Sequence, residues 1–382
     1  MATALYIHVP FCDQICSYCD FPKVFTAGQN TDAYLDGLIK ELEIYEKRIG
    51  FSALKTIYIG GGTPTVLTIQ QLNRLFGHLH SVINFKQLIE VSIEANPDSL
   101  NDDEKIDALL ACGVTRISLG VQTFDEGLLK ILQRSHKKTD VIEVIHKLST
   151  KPVEINVDMI YGIPSQTLQQ LDDDLDTLLS LPITHISAYS LILEAHTKFY
   201  VDYMKDNLDM VSNDVEAAMF ERVIHRLNGE NFAHYEISNY TRGNISYHNA
   251  TYWENQPYIA VGLGAHGQLE INGKRERYEN TRSITAYKKS LLKSELPVTT
   301  SRILTEKEVL EETMFLGLRL LKGVDFSEIS KKFSLDVYGL YDEKIKALVK
   351  RELVDWQAPV LKLTQKGVLL ANEVFEMFLL DE

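Results

Sequence analysis

An α/β fold is what the 382-residue chain predicts: an incomplete (β/α)6 barrel followed by a small helical, winged-helix-like domain. Three observations carry that expectation. Six short apolar, β-rich runs recur through the first half with amphipathic stretches between them, the alternation of a parallel sheet sheathed by helices. Polar and glycine-rich residues collect just after the carboxyl ends of those runs, where parallel α/β folds bind ligands. After Pro297 the pattern changes to helices and one short hairpin.

The strands are expected at 5–9, 56–60, 89–95, 116–121, 154–160 and 185–191, each rich in residues that suit a pleated, buried surface. Helices are expected at about 32–48, 69–82, 102–111, 140–148 and 168–179, where apolar residues return at helical spacing. Thr31, Thr68 and Asn101 are the N-cap candidates. In 168–179 the leucines keep one face while Asp172, Asp173, Asp174 and Asp176 take the other, which reads as a solvated helix face and not a metal site. Six units, not eight, leave the barrel incomplete. From 306 onward, helices at 306–321, 326–333 and 337–350, a hairpin at 353–356 and 361–363, and a closing helix at 366–378 complete the chain. The expected division is 1–230, 231–298 and 299–382.

Composition sets outer limits. Hydrophobic residues make up 45% of the chain, enough for a real core. No apolar run approaches the roughly 20 residues of a membrane span. A net charge of −14 argues against a nucleic-acid partner. Residues 300–382 hold 12 lysines and arginines against 15 acidic residues, so the winged-helix-like module is expected to dock protein or cover a cofactor, and not to read DNA. Only four cysteines and no signal-peptide pattern point to a reducing cytoplasm, without a disulfide framework.

The chemistry concentrates in HVPFCDQICSYCDF, where Cys12, Cys16 and Cys19 have the spacing C-x3-C-x2-C. Three thiolates can hold three irons of a [4Fe-4S] cube and leave the fourth iron open, and an open position lets a metal centre do chemistry. Zinc is the rival, with His8 as fourth ligand, but structural zinc usually draws on a second short-spaced ligand pair. Cys112 is expected as a small buried residue in a helix. Beyond the cysteine loop, four more strand ends carry candidate groups in register. They are Gly60-Gly61-Gly62-Thr63-Pro64, Glu94 before Asn96, Gln122, and Asp158 before Tyr161-Gly162. Glycines admit a ligand where a Cβ would block it. The acids can accept from ammonium or hydroxyl groups; a salt bridge or loop cap is their plain alternative.

The cysteine triplet resembles the signature of the radical S-adenosylmethionine (SAM) superfamily, in which the open iron chelates the amino and carboxyl groups of SAM's methionine. The resemblance implies SAM contacts at Tyr6, Tyr18, Gly61, Gly62, Thr63, Glu94, Gln122 and Asp158. It also places Arg134 on the SAM carboxylate, where a guanidinium fork fits two oxygens. YIHVPFC, YIGGGTPT, SLGVQTF, DMIYGIPSQT, HYEISNY and GLGAHG extend the resemblance over essentially the whole chain, to the oxygen-independent coproporphyrinogen III oxidase-like family. One branch of that family removes two propionate carboxyls from coproporphyrinogen III; the other comprises HemW-type heme chaperones. The dehydrogenase motif continues to a further cysteine two positions after the third, which is Phe21 here, and only eleven residues precede Cys12. His248-Asn249-Ala250-Thr251-Tyr252-Trp253 matches the HNxxYW motif associated with heme in the chaperone branch.

The chaperone reading therefore implies heme contact at His248, Asn249, Tyr252 and Trp253. An imidazole is a common axial ligand for heme iron, and the two rings offer flat apolar surface. Local packing is the alternative. His266 in GLGAHG is a second candidate that could equally cap a turn. The resemblance also implies apo-hemoproteins as recipients and leaves open peripheral membrane contact and a homodimer when the cluster is loaded. A radical SAM enzyme acting on a porphyrinogen or another small molecule is the alternative function.

Overall fold

The structure, a computed structural model, describes residues 2–380. Its core is a parallel sheet of β1 (Ala4–Val9), β2 (Thr56–Gly61), β3 (Glu90–Ala95), β4 (Arg116–Gln122), β5 (Glu154–Tyr161) and β6 (His185–Ser190), paired in sequence order. The six expected strands are all present. Their outward residues, such as Ile57, Ile93, Ile117, Val157 and Ile186, are buried beneath the helical sheath. The alternate residues face the barrel interior. Burial on both faces is what makes the runs nearly continuous in apolar character.

Helices α1 (Thr31–Ile49), α2 (Ile69–Val82), α3 (Asp103–Ala111), α4 (Glu126–Leu132), α5 (Lys138–Ser149) and α6 (Leu168–Leu179) alternate with these strands. Thr68 caps α2 in a reciprocal box with Gln71. The other two caps lie one residue from expectation: Asn30 caps α1 and Asp102 caps α3. The acidic face of α6 is not wholly solvated. Asp174 is buried and accepts hydrogen bonds from Thr123 Oγ1 (2.6 Å) and the Phe124 amide (2.7 Å). Asp172 pairs with Arg222 and Arg226 on the helix Asn213–Gly229.

The sheet continues past the barrel on both sides. β7 (Ala233–Glu236) pairs antiparallel with β8 (Asn239–Thr241), which itself pairs antiparallel with β6. On the other edge β9 (Tyr258–Val261) pairs parallel with β1, with Tyr6 opposite Ala260. The parallel body therefore has seven strands, one more than expected. β10 (His266–Ile271), β11 (Lys274–Asn280) and β12 (Val298–Ile303) extend it antiparallel to twelve strands in all. Between β8 and β9 the short helix Tyr247–Trp253 crosses beneath the amino ends of the barrel strands, its His248 bonded to Thr56, the first residue of β2.

Residues after Ile303 form their own apolar core around Leu310, Met314, Tyr341, Leu348, Leu361 and Phe378. Helices Glu306–Gly317, Phe326–Phe333 and Val337–Lys350 pack on a three-stranded wing of Val324–Asp325, Val354–Gln357 and Val360–Leu363. The expected closing helix is two short ones, Gln365–Leu369 and Ala371–Glu376. The expected boundary at 298/299 falls at the start of β12, which stays in the large sheet. No helix among the described residues is long and apolar enough to cross a membrane.

Candidate functional site

A cavity of about 520 Å3 opens at the carboxyl ends of the barrel strands. The sequence places each wall. The loop after β1 brings Cys12, Cys16, Tyr18 and Cys19. The end of β2 and its glycine turn bring Gly61, Gly62 and Thr63. β3, β4 and β5 bring Glu94, Gln122 and Asp158, and Arg134 follows α4. Tyr6 is not among the lining residues; its hydroxyl is 3.0 Å from His8 Nδ1 and its ring stacks on Tyr58, which does line the cavity.

The cysteine loop is held by backbone and side chains together. Lys23 Nζ donates to the Cys19 carbonyl, the Ser17 amide to the Leu132 carbonyl, and the Phe199 amide to the Ser17 carbonyl. Gly62 makes room for it: a Cβ there would stand 2.6 Å from the Phe11 carbonyl oxygen and 2.8 Å from Cys12 Sγ. Gly61 has φ +121 and its Cβ would meet the His8 ring at 2.6 Å, so only glycine fits. Burial pushes the Cys12 thiol up to about 11 and the Cys19 thiol upward, outweighing the lowering pull of the Lys23 ammonium on both. Arg134 is turned toward them: Nη1 is 3.5 Å from Cys16 Sγ, and Nη2 donates to Asn96 Oδ1 (2.8 Å) and the Gly120 carbonyl. Its Nε is buried without a partner.

The acids behave as buried receptors. Glu94 accepts from Tyr58 OH at 2.8 Å and from the Gly61 amide at 2.9 Å, and burial pushes its carboxyl up to about 7. Asp158 accepts from Ser118 Oγ (2.8 Å) and Asn156 Nδ2 (2.7 Å) and is likewise raised by burial. Gln122 lines the cavity beside a bulge in β4, with φ 69. A left-handed glutamine is uncommon, and such strain gathers at ligand sites.

The zinc alternative loses its fourth ligand. His8 is buried, with Nδ1 on the Tyr6 hydroxyl and Nε2 2.6 Å from the Pro22 carbonyl oxygen. Among the described residues no three His, Cys, Asp or Glu side chains converge on a point for one ion; a cube, with a different iron for each thiolate, needs no such point. Cys112 is buried at the end of α3, as expected.

The radical SAM superfamily description matches residues 6–178, and that of the HemN C-terminal domain matches residues 304–370. The chain is 40% identical over 379 residues to the heme chaperone HemW of Lactococcus lactis, with 99% of this chain and 97% of the relative covered. It is 39% identical to the heme chaperone HemW of Bacillus subtilis, with 98% of each covered. The chain belongs to the HemW family of radical SAM proteins. Coproporphyrinogen III oxidase (HemN) from Escherichia coli has the same fold, with a TM-score of 0.83 at 22% identity over 99% of this chain and 90% of that one.

The superfamily implies a [4Fe-4S] cluster and SAM, and the residues present suit both. The loop offers three thiols with glycine clearance behind Cys12, and the cavity offers two buried carboxyls for an ammonium or ribose. The His248–Trp253 motif lies on the short helix at the amino ends of the barrel strands. His248 is wholly buried, with Nδ1 2.9 Å from Thr56 Oγ1 and Nε2 2.8 Å from the Tyr252 hydroxyl. Burial pushes its imidazole down to about 3. Both ring nitrogens are taken by these partners. Trp253 lies under the Arg319 guanidinium, 4.2 Å from ring centroid to Cζ. Of the four motif residues only Asn249 reaches the cavity. His266 stands half-exposed beside Glu279, 3.4 Å away, and does not line it.

Several lining residues were missed in the sequence: Tyr58, Asn96, Arg116, Asn156, His185 and Ser246. Period-2 alternation was the available signal for three of them. Residues 116, 118 and 120 share a strand face, as do 156 and 158, and 185 and 187.

Proposed function

We propose that the protein takes up heme and hands it to apo-hemoproteins, with a [4Fe-4S] cluster on Cys12, Cys16 and Cys19 and an exchangeable SAM in the cavity above the barrel. The full-length similarity to two heme chaperones named HemW supports the reading. The observation that carries it is Phe21. At the position of the dehydrogenase's further cysteine, a phenylalanine 61% exposed stands on the cavity rim with Ile192, itself 68% exposed. Two exposed apolar side chains at the mouth of a polar cavity suit a flat macrocycle and supply no thiol.

In this reading the bound cluster contributes an open iron site. The protein's own residues do the rest. Glu94 and Asp158 receive the cationic and hydroxyl groups of SAM, and Arg134, beside Cys16, receives the carboxylate. Heme contact runs through the Phe21–Ile192 rim and Asn249. His248, Tyr252 and Trp253 act behind it, closing the barrel floor and tying it to the C-terminal domain. The chain divides into a barrel over 1–230, a flanking segment carrying the motif, and a C-terminal domain whose start is moved from 299 to 304, past the end of β12.

Anaerobic titration of heme into cluster-reconstituted protein tests the proposal. A saturating shift in heme absorbance, followed by transfer to an added apo-hemoprotein, is expected. Absence of any shift overturns it. Phe21→Asp together with Ile192→Asp should weaken uptake several-fold; unchanged uptake removes the rim from the heme site.

A further inference from the structure

The interior of the barrel below the SAM-facing layer holds a guanidinium that no hydrogen bond in the protein satisfies, although its charge lowers the nearby Asp158 carboxyl. Arg116, the first residue of β4, is 4% exposed and lines the cavity. Its guanidinium makes no hydrogen bond or ion pair with any described residue. The neighbouring acids are already engaged. Glu90 Oε1 takes hydrogen bonds from Ser92 (2.8 Å) and Ser246 (3.4 Å), and its Oε2 accepts the Tyr247 amide at 2.7 Å. Asp158 spends its oxygens on Ser118 and Asn156. His185 is fixed between Asn156 Oδ1 (2.6 Å) and the Tyr235 hydroxyl (2.9 Å). Asn249, reaching in from the motif helix, likewise has no partner for its side-chain amide.

A buried guanidinium whose N–H groups meet no acceptor is costly, and native proteins keep such donors hydrogen-bonded. A cavity wall is where one can be kept for a ligand. The geometry points to a carboxylate subsite at the barrel floor, with Arg116 as its anchor and Asn249 as a second donor. Its occupant is the carboxylate of a ligand distinct from SAM, whose own carboxylate is assigned to Arg134 at the mouth. A guanidinium fork matches two carboxylate oxygens. The subsite stands on this geometry and not on the heme reading; a porphyrin propionate is one source of such a carboxylate, and a small organic acid is the other.

Thermal unfolding of the full chain with propionate, or with its neutral isostere propionamide, is the test. A ligand that binds only the folded state raises the midpoint. Wild type should be stabilised by propionate beyond a matched chloride control, and not by propionamide. Arg116→Met should lose the propionate shift, read as the change in midpoint on adding propionate to each protein. Arg116→Lys, which keeps the charge and loses the fork, should retain only part of the shift. An equal propionate shift in wild type and Arg116→Met, or none in wild type, overturns the subsite. Titration with heme and with heme dimethyl ester separates the sources. Esterification that weakens binding about tenfold to a hundredfold in wild type, the range for a charge-assisted hydrogen bond, and not in Arg116→Met, puts a propionate on Arg116. Equal binding of both forms beside an intact propionate shift assigns the floor to a small acid. Failure to bind heme in any form, with the propionate shift intact, would sink the chaperone reading alone.

Discussion

At the scale of single residues, Gly62 sets the tightest constraint on the cysteine loop. Gly62→Ala forces a methyl group to 2.8 Å from Cys12 Sγ and 2.6 Å from a carbonyl oxygen, contacts that require the loop to move. Reconstitution should yield markedly less cluster absorbance while far-ultraviolet circular dichroism is unchanged; full cluster loading would show that the loop adapts. Glu94 makes a second prediction. Its carboxyl is raised to about 7 by burial, so it is protonated below that pH and a carboxylate above it. SAM, a cation, should bind more tightly as pH rises through about 7, and Glu94→Gln should flatten that dependence. The same shift makes Glu94 oppose folding progressively as pH rises from its ordinary value to about 7, since the folded state holds the proton longer. The cysteines, the glycine turn and Glu94 were legible because their chemistry follows from local spacing and strand ends. The role of His248 was not. Its ring is oriented by Thr56, 192 residues away in sequence, and no local pattern carries that information.

At the scale of elements, the helix Tyr247–Trp253 behaves as a barrel plug. His248→Ala removes two buried hydrogen bonds and most of an imidazole, at a cost of about 2–4 kcal/mol. Chemical denaturation should show that loss, while the position of the heme absorbance band stays as in wild type. A shifted band would return His248 to the iron. The regular alternation of strands and helices was readable because period and capping are local: the six strands and α2 with its Thr68 box follow from it. Elements between residues 191 and 298 escaped, and so did α4. α4 has seven residues, too few to establish a helical period. β9 has four, and it joins β1 only through a return of the chain that sequence pattern does not encode.

At the scale of the whole molecule, the contacts around Arg319 are among those that link the two cores. Arg319, just past the first C-terminal helix, stacks on Trp253 and stands 3.6 Å from Glu236 on β7, which is wholly buried. Arg319→Ala leaves that carboxylate without its cation, and breaking a buried pair of this kind costs about 3–5 kcal/mol. Burial already raises the Glu236 carboxyl and Arg319 holds it down, so the variant should raise it further. The stability deficit should then be small at acid pH, where Glu236 carries its proton in both proteins, and should grow as pH rises. A deficit independent of pH would mean that the lost stacking on Trp253 dominates. The C-terminal module was readable as helices with a wing, but its anchorage on the motif helix was not, because it rests on side chains from three distant parts of the chain.

In the proposed function, this radical SAM scaffold handles heme without converting a porphyrinogen. One anaerobic measurement tests it most directly: cluster-reconstituted protein with SAM, reductant and coproporphyrinogen III, with chromatography of the porphyrins and heme transfer to an apo-hemoprotein followed in a parallel sample. Untouched coproporphyrinogen and transferred heme are the expected result. Protoporphyrinogen accumulating over many turnovers would contradict it.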